Sequence, residues 1–106
     1  MSRDVLVVLS DPVPGLEDEY NQWYDEVHLP EVLALEGFTS AARFVVPGPS
    51  GLARPRLRQK YLAVYGISGD VADATASLRD AVRSGRIVLP ACIDSDSICI
   101  TPFSPV

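Results

Sequence analysis

The spacing of apolar residues along the chain predicts six secondary-structure elements. Short apolar, β-branched runs indicate four strands, at Val5–Leu9, Phe38–Val46, Lys60–Ile67 and Asp94–Phe103. Helical spacing begins at Leu16, and we expect this helix to end or kink around His28, before a further turn over Glu31–Leu35. A second helix follows the capping residue Asp70 and stops before Gly85. This order predicts a ferredoxin-like β-α-β-β-α-β fold of the α+β class, with both helices on one face of a four-stranded antiparallel sheet.

The distribution of apolar residues over the two sheet faces predicts self-association. Two helices can cover only one face, yet the first and third predicted strands are apolar on both faces. A monomer would expose a broad apolar patch, so we expect a homodimer in which two sheets pack face to face. The second helix is predicted to bury one face, made of Val71, Ala74, Leu78, Ala81 and Val82.

Composition is that of a globular protein and argues against two classes of partner. The 106 residues are 47% hydrophobic and 22% charged, which predicts a single domain spanning residues 1–106. A net charge of −5 argues against nucleic acid, because a polyanion would be repelled. The apolar runs are too short for a membrane span, and no basic-then-apolar leader begins at Met1. We therefore predict a cytoplasmic protein with no membrane partner.

The two cysteines are predicted to be free and buried. Cys92 and Cys99 lie seven residues apart, so a strand running through both would place them on opposite faces. The absence of a Cys-x-x-Cys motif and the single histidine argue against a zinc site, and we predict no metal. In a reducing cytoplasm, both side chains would act as small hydrophobic groups.

The first predicted helix carries the residues with chemical potential. In a regular α-helix Asn21 and His28 are two turns apart and nearly eclipsed, with Tyr24 and Asp25 on the intervening turns. Histidine is the natural acid or base of such a group, because its unperturbed pKa lies near neutrality. Acidic neighbours favour its protonated form and burial favours its neutral form. The sequence leaves this balance open.

The pattern Asn-x-Trp-Tyr-x-x-x-His-x-Pro at 21–30, followed by Gly37-Phe38, resembles the EthD-like branch of the dimeric α+β barrel superfamily. The resemblance implies a homodimer whose sheets close a barrel, with a ligand cleft between helices and sheet in each subunit. It also implies that His28, Tyr24 and Asn21 face the cleft. The chain departs from the family's habit at Gly66, where an acidic residue is expected, and in a long Pro/Arg loop at 47–58.

The candidate site residues each have a structural alternative. We predict His28 as the acid or base, with a helix-capping role as its alternative. Tyr24 would orient the substrate or simply pack in the core. Trp23 is predicted to pack in the core, with a substrate contact as its alternative. Arg43 lies among apolar residues and must pair, either within the protein or with a substrate anion. The predicted substrate-binding residues are Asn21, Arg43, Tyr65 and Trp23.

Three functions fit this sequence. The first is a cofactor-free cyclase, isomerase or lyase that acts on an aromatic or polyketide-like compound through His28. The second is a cofactor-free monooxygenase, and the third is a non-catalytic ligand-binding dimer. The relatives implied by the resemblance also include haem enzymes, and a haem site would need His28 as the axial ligand.

Overall fold

One four-stranded antiparallel sheet organises the computed structural model, which describes residues 3–47 and 57–106. The strands are β1 (Val5–Pro12), β2 (Phe38–Val45), β3 (Tyr61–Ile67) and β4 (Ile93–Phe103). Their order in the sheet is β2-β3-β1-β4, and each neighbouring pair is antiparallel. The predicted ferredoxin-like α+β fold is confirmed. The predicted turn and loop after β2 fall largely on residues 48–56, outside the described ranges.

The first helical region continues through His28 instead of ending there. It consists of α1 (Glu17–Trp23), a π-helical segment (Tyr24–His28) and α2 (Leu29–Leu33). At the end of the π-helical segment the Leu29 N–H donates to the Tyr24 carbonyl, five residues back. Pro30 comes directly after, and its ring cannot fit against the carbonyl one turn back in a regular α-helix. The wider π turn thus lets the helix pass a proline that would otherwise break it.

The second helix, α3 (Val71–Arg83), begins as its sequence predicts. The Asp70 side chain caps it by accepting hydrogen bonds from the amides of Ala72 (2.7 Å) and Asp73 (3.2 Å). The predicted buried positions Ala74, Leu78 and Ala81 are buried, whereas Val71 is only half-buried. The prediction of a buried Val82 is wrong: this side chain is 39% exposed, because it lines a cleft and does not pack into the core. None of the helices in the described ranges is long and apolar enough to cross a membrane.

Alternate residues of the central strand β1 face the helices and the opposite side of the sheet. Leu6, Val8 and Ser10 are buried beneath the helices. On the opposite side Val7 pairs with Val64 and Thr101, so the three strands place these residues in one row. No other described element covers this surface, which we call the outer face. Its members are Val5, Val7, Leu9, Ala42, Phe44, Leu62, Val64, Cys99, Thr101 and Phe103.

The two cysteines differ in burial. Both are free, as expected. Cys92 is buried just before β4, but Cys99 is exposed, so the prediction of two buried cysteines is wrong for Cys99. The cause is its register, which pairs it with Leu9 on the uncovered outer face.

Candidate ligand cleft

A cleft of about 410 Å³ opens between the first helical region, α3 and the sheet. This volume lies within the range of small-molecule sites. Its buried wall includes His28, Tyr24 and Tyr65, and its exposed rim includes Val82 and Leu89. Most of its surface is apolar, so a bound molecule would meet a few polar groups in an otherwise hydrophobic setting.

The π-helical segment fixes the position of His28. An i→i+5 turn brings residues five apart above one another, and the His28 ring stacks on Trp23 with centroids 4.5 Å apart and planes at 18°. The Tyr24 ring meets the same imidazole edge-on, with centroids 5.0 Å apart. His28 is only 8% exposed, and burial lowers its pKa to about 4. Burial therefore prevails over the acidic neighbours, and the imidazole is neutral at pH 7.

The buried edge of the His28 ring faces Glu31. The Nδ1 atom of His28 lies 3.8 Å from Glu31 Oε1, which is too long for a formed hydrogen bond. Both atoms are buried, and neither has a hydrogen-bond partner among the described residues. A small movement would therefore let the Nδ1 atom of His28 donate a hydrogen bond to Glu31 Oε1. If Nδ1 carries the proton and points to Glu31, Nε2 is the basic nitrogen that remains for chemistry.

Two tyrosine hydroxyls complete the buried wall of the cleft. Tyr65 is fully buried, and its hydroxyl interacts with the Tyr24 side chain but forms no hydrogen bond of regular geometry within the described part of the chain. Burial, together with the neighbouring Tyr24, raises the pKa of Tyr65. Burial likewise raises the pKa of Tyr24. Both phenols therefore keep their protons at neutral pH and act as hydrogen-bond donors.

Asn21 and Arg43 lie together outside the lining of the cleft. The Arg43 guanidinium donates to Asn21 Oδ1 and to Asp25 Oδ1, each at 2.8 Å. It also lies over the Tyr24 ring, 4.5 Å from the centroid. The Arg43 side chain is 14% exposed, and the Asp25 carboxylate pairs with its charge. Four of the predicted site residues line the cleft: Trp23, Tyr24, His28 and Tyr65. Asn21 and Arg43 do not line it, and Arg43 contacts this group through the Tyr24 ring.

The sequence reasoning missed the contribution of α3 to the cleft. Thr75, Arg79 and Arg83 line it and recur every four residues along one stripe of the helix. This stripe lies beside the predicted buried face, which ends in Val82. The available signal is a set of polar residues at helical spacing, but it resembles an ordinary solvated face.

No family model and no curated protein sequence matches this chain. Several solved structures do match this chain. An ethyl tert-butyl ether D (EthD) family protein from Bacillus halodurans C-125 matches over 100% of both chains, with a TM-score of 0.61 and 11% identity. A proposed monooxygenase from Shewanella loihica PV-4 matches over 100% of this chain and 97% of its own, with a TM-score of 0.54 and 16% identity.

A protein of unknown function from Nitrosomonas europaea also matches, with a TM-score of 0.53 and 18% identity, over 100% of this chain and 91% of its own. At these identities the likeness concerns the fold. The chain shares its α+β fold with these three proteins, one of which is an EthD family protein, as its sequence resemblance predicted.

Proposed function

We propose that this protein is an EthD-like enzyme that binds a small aromatic or polyketide-like compound in the cleft. The reaction is a cofactor-free cyclisation, isomerisation or elimination in which His28 moves a proton. The observation that supports this most strongly is a neutral imidazole and an unpaired tyrosine hydroxyl on the wall of one apolar cleft. A base beside a hydrogen-bond donor suits proton removal next to a carbonyl group.

In this proposal the Nε2 atom of His28 accepts the proton from the bound compound. The Tyr65 hydroxyl donates a hydrogen bond to the carbonyl oxygen on which negative charge develops. A buried hydroxyl without a partner is costly, and a ligand oxygen would satisfy it. Tyr24 remains protonated and orients the same end of the compound.

Glu31 is the group placed to stabilise protonated His28. The pKa of about 4 holds with Glu31 already in place, so His28 is a weak base in the free protein. As the imidazolium forms, the Glu31 carboxylate 3.8 Å from Nδ1 stabilises the new charge. This interaction strengthens only during the reaction, which is what lowers a barrier.

Asn21 and Arg43 are proposed to position Tyr24. The guanidinium is held by Asn21 and Asp25, and its central carbon lies over the Tyr24 ring. A cation over an aromatic face is attractive, and the distance here is within the usual range. Their effect on the substrate would therefore be exerted through the tyrosine.

We also propose that the outer face joins two copies of the chain. It presents a continuous apolar surface on all four strands, including Phe44 at 57% and Phe103 at 55% exposure. A surface of this kind on a soluble protein marks an interface. Face-to-face packing of two such sheets would bury it while leaving the cleft on the opposite side of each sheet.

A monooxygenase is the second candidate, and the Shewanella loihica structure is the observation that favours it. The first step would be the same, because His28 would deprotonate an electron-rich phenol. The phenolate would then pass electrons to O₂. One oxygen atom would enter the ring to give a quinone and the other would leave as water, with the phenol itself supplying all four electrons. A non-catalytic binding dimer would use the same cleft without proton transfer.

A compound screen with three readouts tests the proposal. Aromatic and polyketide-like ketones and phenols are incubated with wild type and His28→Gln, and products, O₂ consumption and binding are measured. We expect product without O₂ consumption, equal binding by both proteins, and loss of turnover in His28→Gln. Product that requires O₂ would favour the monooxygenase, and binding without any turnover would favour the non-catalytic dimer. A visible absorption band of the purified protein would reveal haem.

A further inference from the structure

Two arginines line the open side of the cleft and have no anionic partner in the described part of the protein. Arg79 and Arg83 are exposed and lie one turn apart on α3, on the stripe that borders the cleft. Neither forms an ion pair or a side-chain hydrogen bond with any described residue. Three residues before Arg83, Asp80 borders a separate shallow depression on another side of the helix. The two positive charges are therefore available to a bound molecule.

Helix stability explains only part of this arrangement. Arg83 is in the last turn of α3, where a positive charge complements the helix dipole. Arg79 lies a full turn earlier, where the dipole effect has faded. The helix dipole therefore does not explain why both side chains border the same apolar cleft.

We propose that Arg79 and Arg83 form an anion-binding rim, so that the ligand of this cleft is an aromatic or polyketide-like carboxylic acid. Its apolar body would lie against Trp23 and Tyr24, and its carboxylate would lie between the two guanidinium groups. Arginine suits this task because its planar fork matches a carboxylate with two hydrogen bonds. This inference rests on the proposed function of the cleft and deepens it by naming the charge of the substrate.

The net negative charge of the chain gives the two rim arginines a specific role in attracting an anionic ligand. A net charge of −5 repels anions on average, so an acid needs local positive charge to enter. Among the described residues, the buried wall of the cleft offers no cation at neutral pH, since His28 is neutral there. The rim therefore sets both the orientation of the ligand and its preference for acids.

The test compares acids with their neutral amides, which have nearly the same shape. The pairs are benzoate and benzamide, 2-naphthoate and 2-naphthamide, and indole-3-acetate and indole-3-acetamide. Binding is measured by calorimetry for all three pairs. For benzoate and benzamide it is also measured by the fluorescence of Trp23, which is the only tryptophan and lines the cleft. The variants are Arg79→Gln, Arg83→Gln and the double variant, with Arg86→Gln as the matched control. Arg86 is exposed, lies outside the cleft lining, and carries the same charge.

We expect wild type and Arg86→Gln to bind the best acid about tenfold more tightly than its amide at low salt. The double variant should lose this preference, bind the amide as before, and show less salt dependence for the acid. An acid preference that survives in the double variant, or falls equally in Arg86→Gln, would refute the anion-binding rim. Equal binding of acid and amide by wild type would do the same, while leaving the proposed function in place. If no member of any pair binds while a compound of the screen does, the anion-binding rim fails alone. If neither these pairs nor any compound of the screen binds, both proposals fail.

Discussion

Acidification should destabilise the protein through His28. Burial lowers the pKa of His28 from 6.5 to about 4 in the folded protein. The unfolded chain therefore binds more protons than the folded protein between these two pH values, and protonation favours unfolding. The stability contribution is complete above pH 6.5 and is lost as the pH falls towards 4. With 1.36 kcal/mol for each pH unit, the loss amounts to about 3 kcal/mol.

His28→Gln removes this titration while leaving all other ionisable groups in place. The free energy of unfolding, measured with urea at pH 7, 5.5 and 4, should fall more steeply for wild type than for the variant. Between pH 7 and pH 4, the free energy of unfolding should fall by about 3 kcal/mol more in wild type than in the variant. Acid effects on carboxylates occur in both proteins and cancel in the comparison. Parallel pH profiles would refute the role assigned to burial.

The pKa itself can be measured directly. His28 is the only histidine in the chain, so its imidazole NMR signals need no assignment. We expect a midpoint well below 6.5. Because Nδ1 lies near Glu31, we also expect a single neutral tautomer with the proton on Nδ1. A midpoint at or above 6.5 would mean that Glu31 and its acidic neighbours outweigh burial.

Three further predictions concern the core, the outer face and Glu31. Trp23→Ala should lower the free energy of unfolding by about 2 kcal/mol, because the ring is half-buried, and urea denaturation measures this loss. The same variant exposes the imidazole that stacks on Trp23, so NMR should show the pKa of His28 moving back towards 6.5. Val7→Lys, in the middle of the outer face, should turn a dimer into a monomer or an unfolded chain, and light scattering decides this; a wild-type monomer would exclude the dimer. Glu31→Gln should melt like wild type but lower turnover about tenfold, with a changed pH–rate profile; unchanged turnover would leave Glu31 without a role.

The four strands can be predicted from the sequence because short apolar, β-branched runs and turn residues mark where strands begin and end. Asp70 and Gly85 likewise mark the ends of α3, through a side-chain cap and a backbone with φ of +82°. The exposure of Cys99 and Val82 is missed for a shared reason. Each lies on the apolar side of its strand or helix. Whether another element covers that side depends on tertiary packing, which the alternation of apolar and polar residues does not show.

The candidate site can be predicted in part, and the π-helical segment explains the rest. A regular helix would place Asn21 and His28 on one stripe, as the sequence predicts. A π turn adds about one residue to the turn, so the residues after it are rotated by roughly 100° relative to the residues before it. His28 therefore stacks on Trp23 in the cleft, while Asn21 turns towards Arg43. Pro30 is the available signal, but a proline more often ends a helix than widens it.

The most direct test of our central proposal is deuterium exchange into a bound compound. A ligand from the screen that has a C–H bond next to a carbonyl group is kept in D₂O with catalytic amounts of protein, and NMR records the loss of that proton signal. We predict that wild type accelerates the exchange, and that His28→Gln, with the same melting temperature and ligand affinity, slows it by about 10²–10⁴-fold. Exchange at the wild-type rate in a folded, ligand-binding His28→Gln protein would show that His28 is not the base.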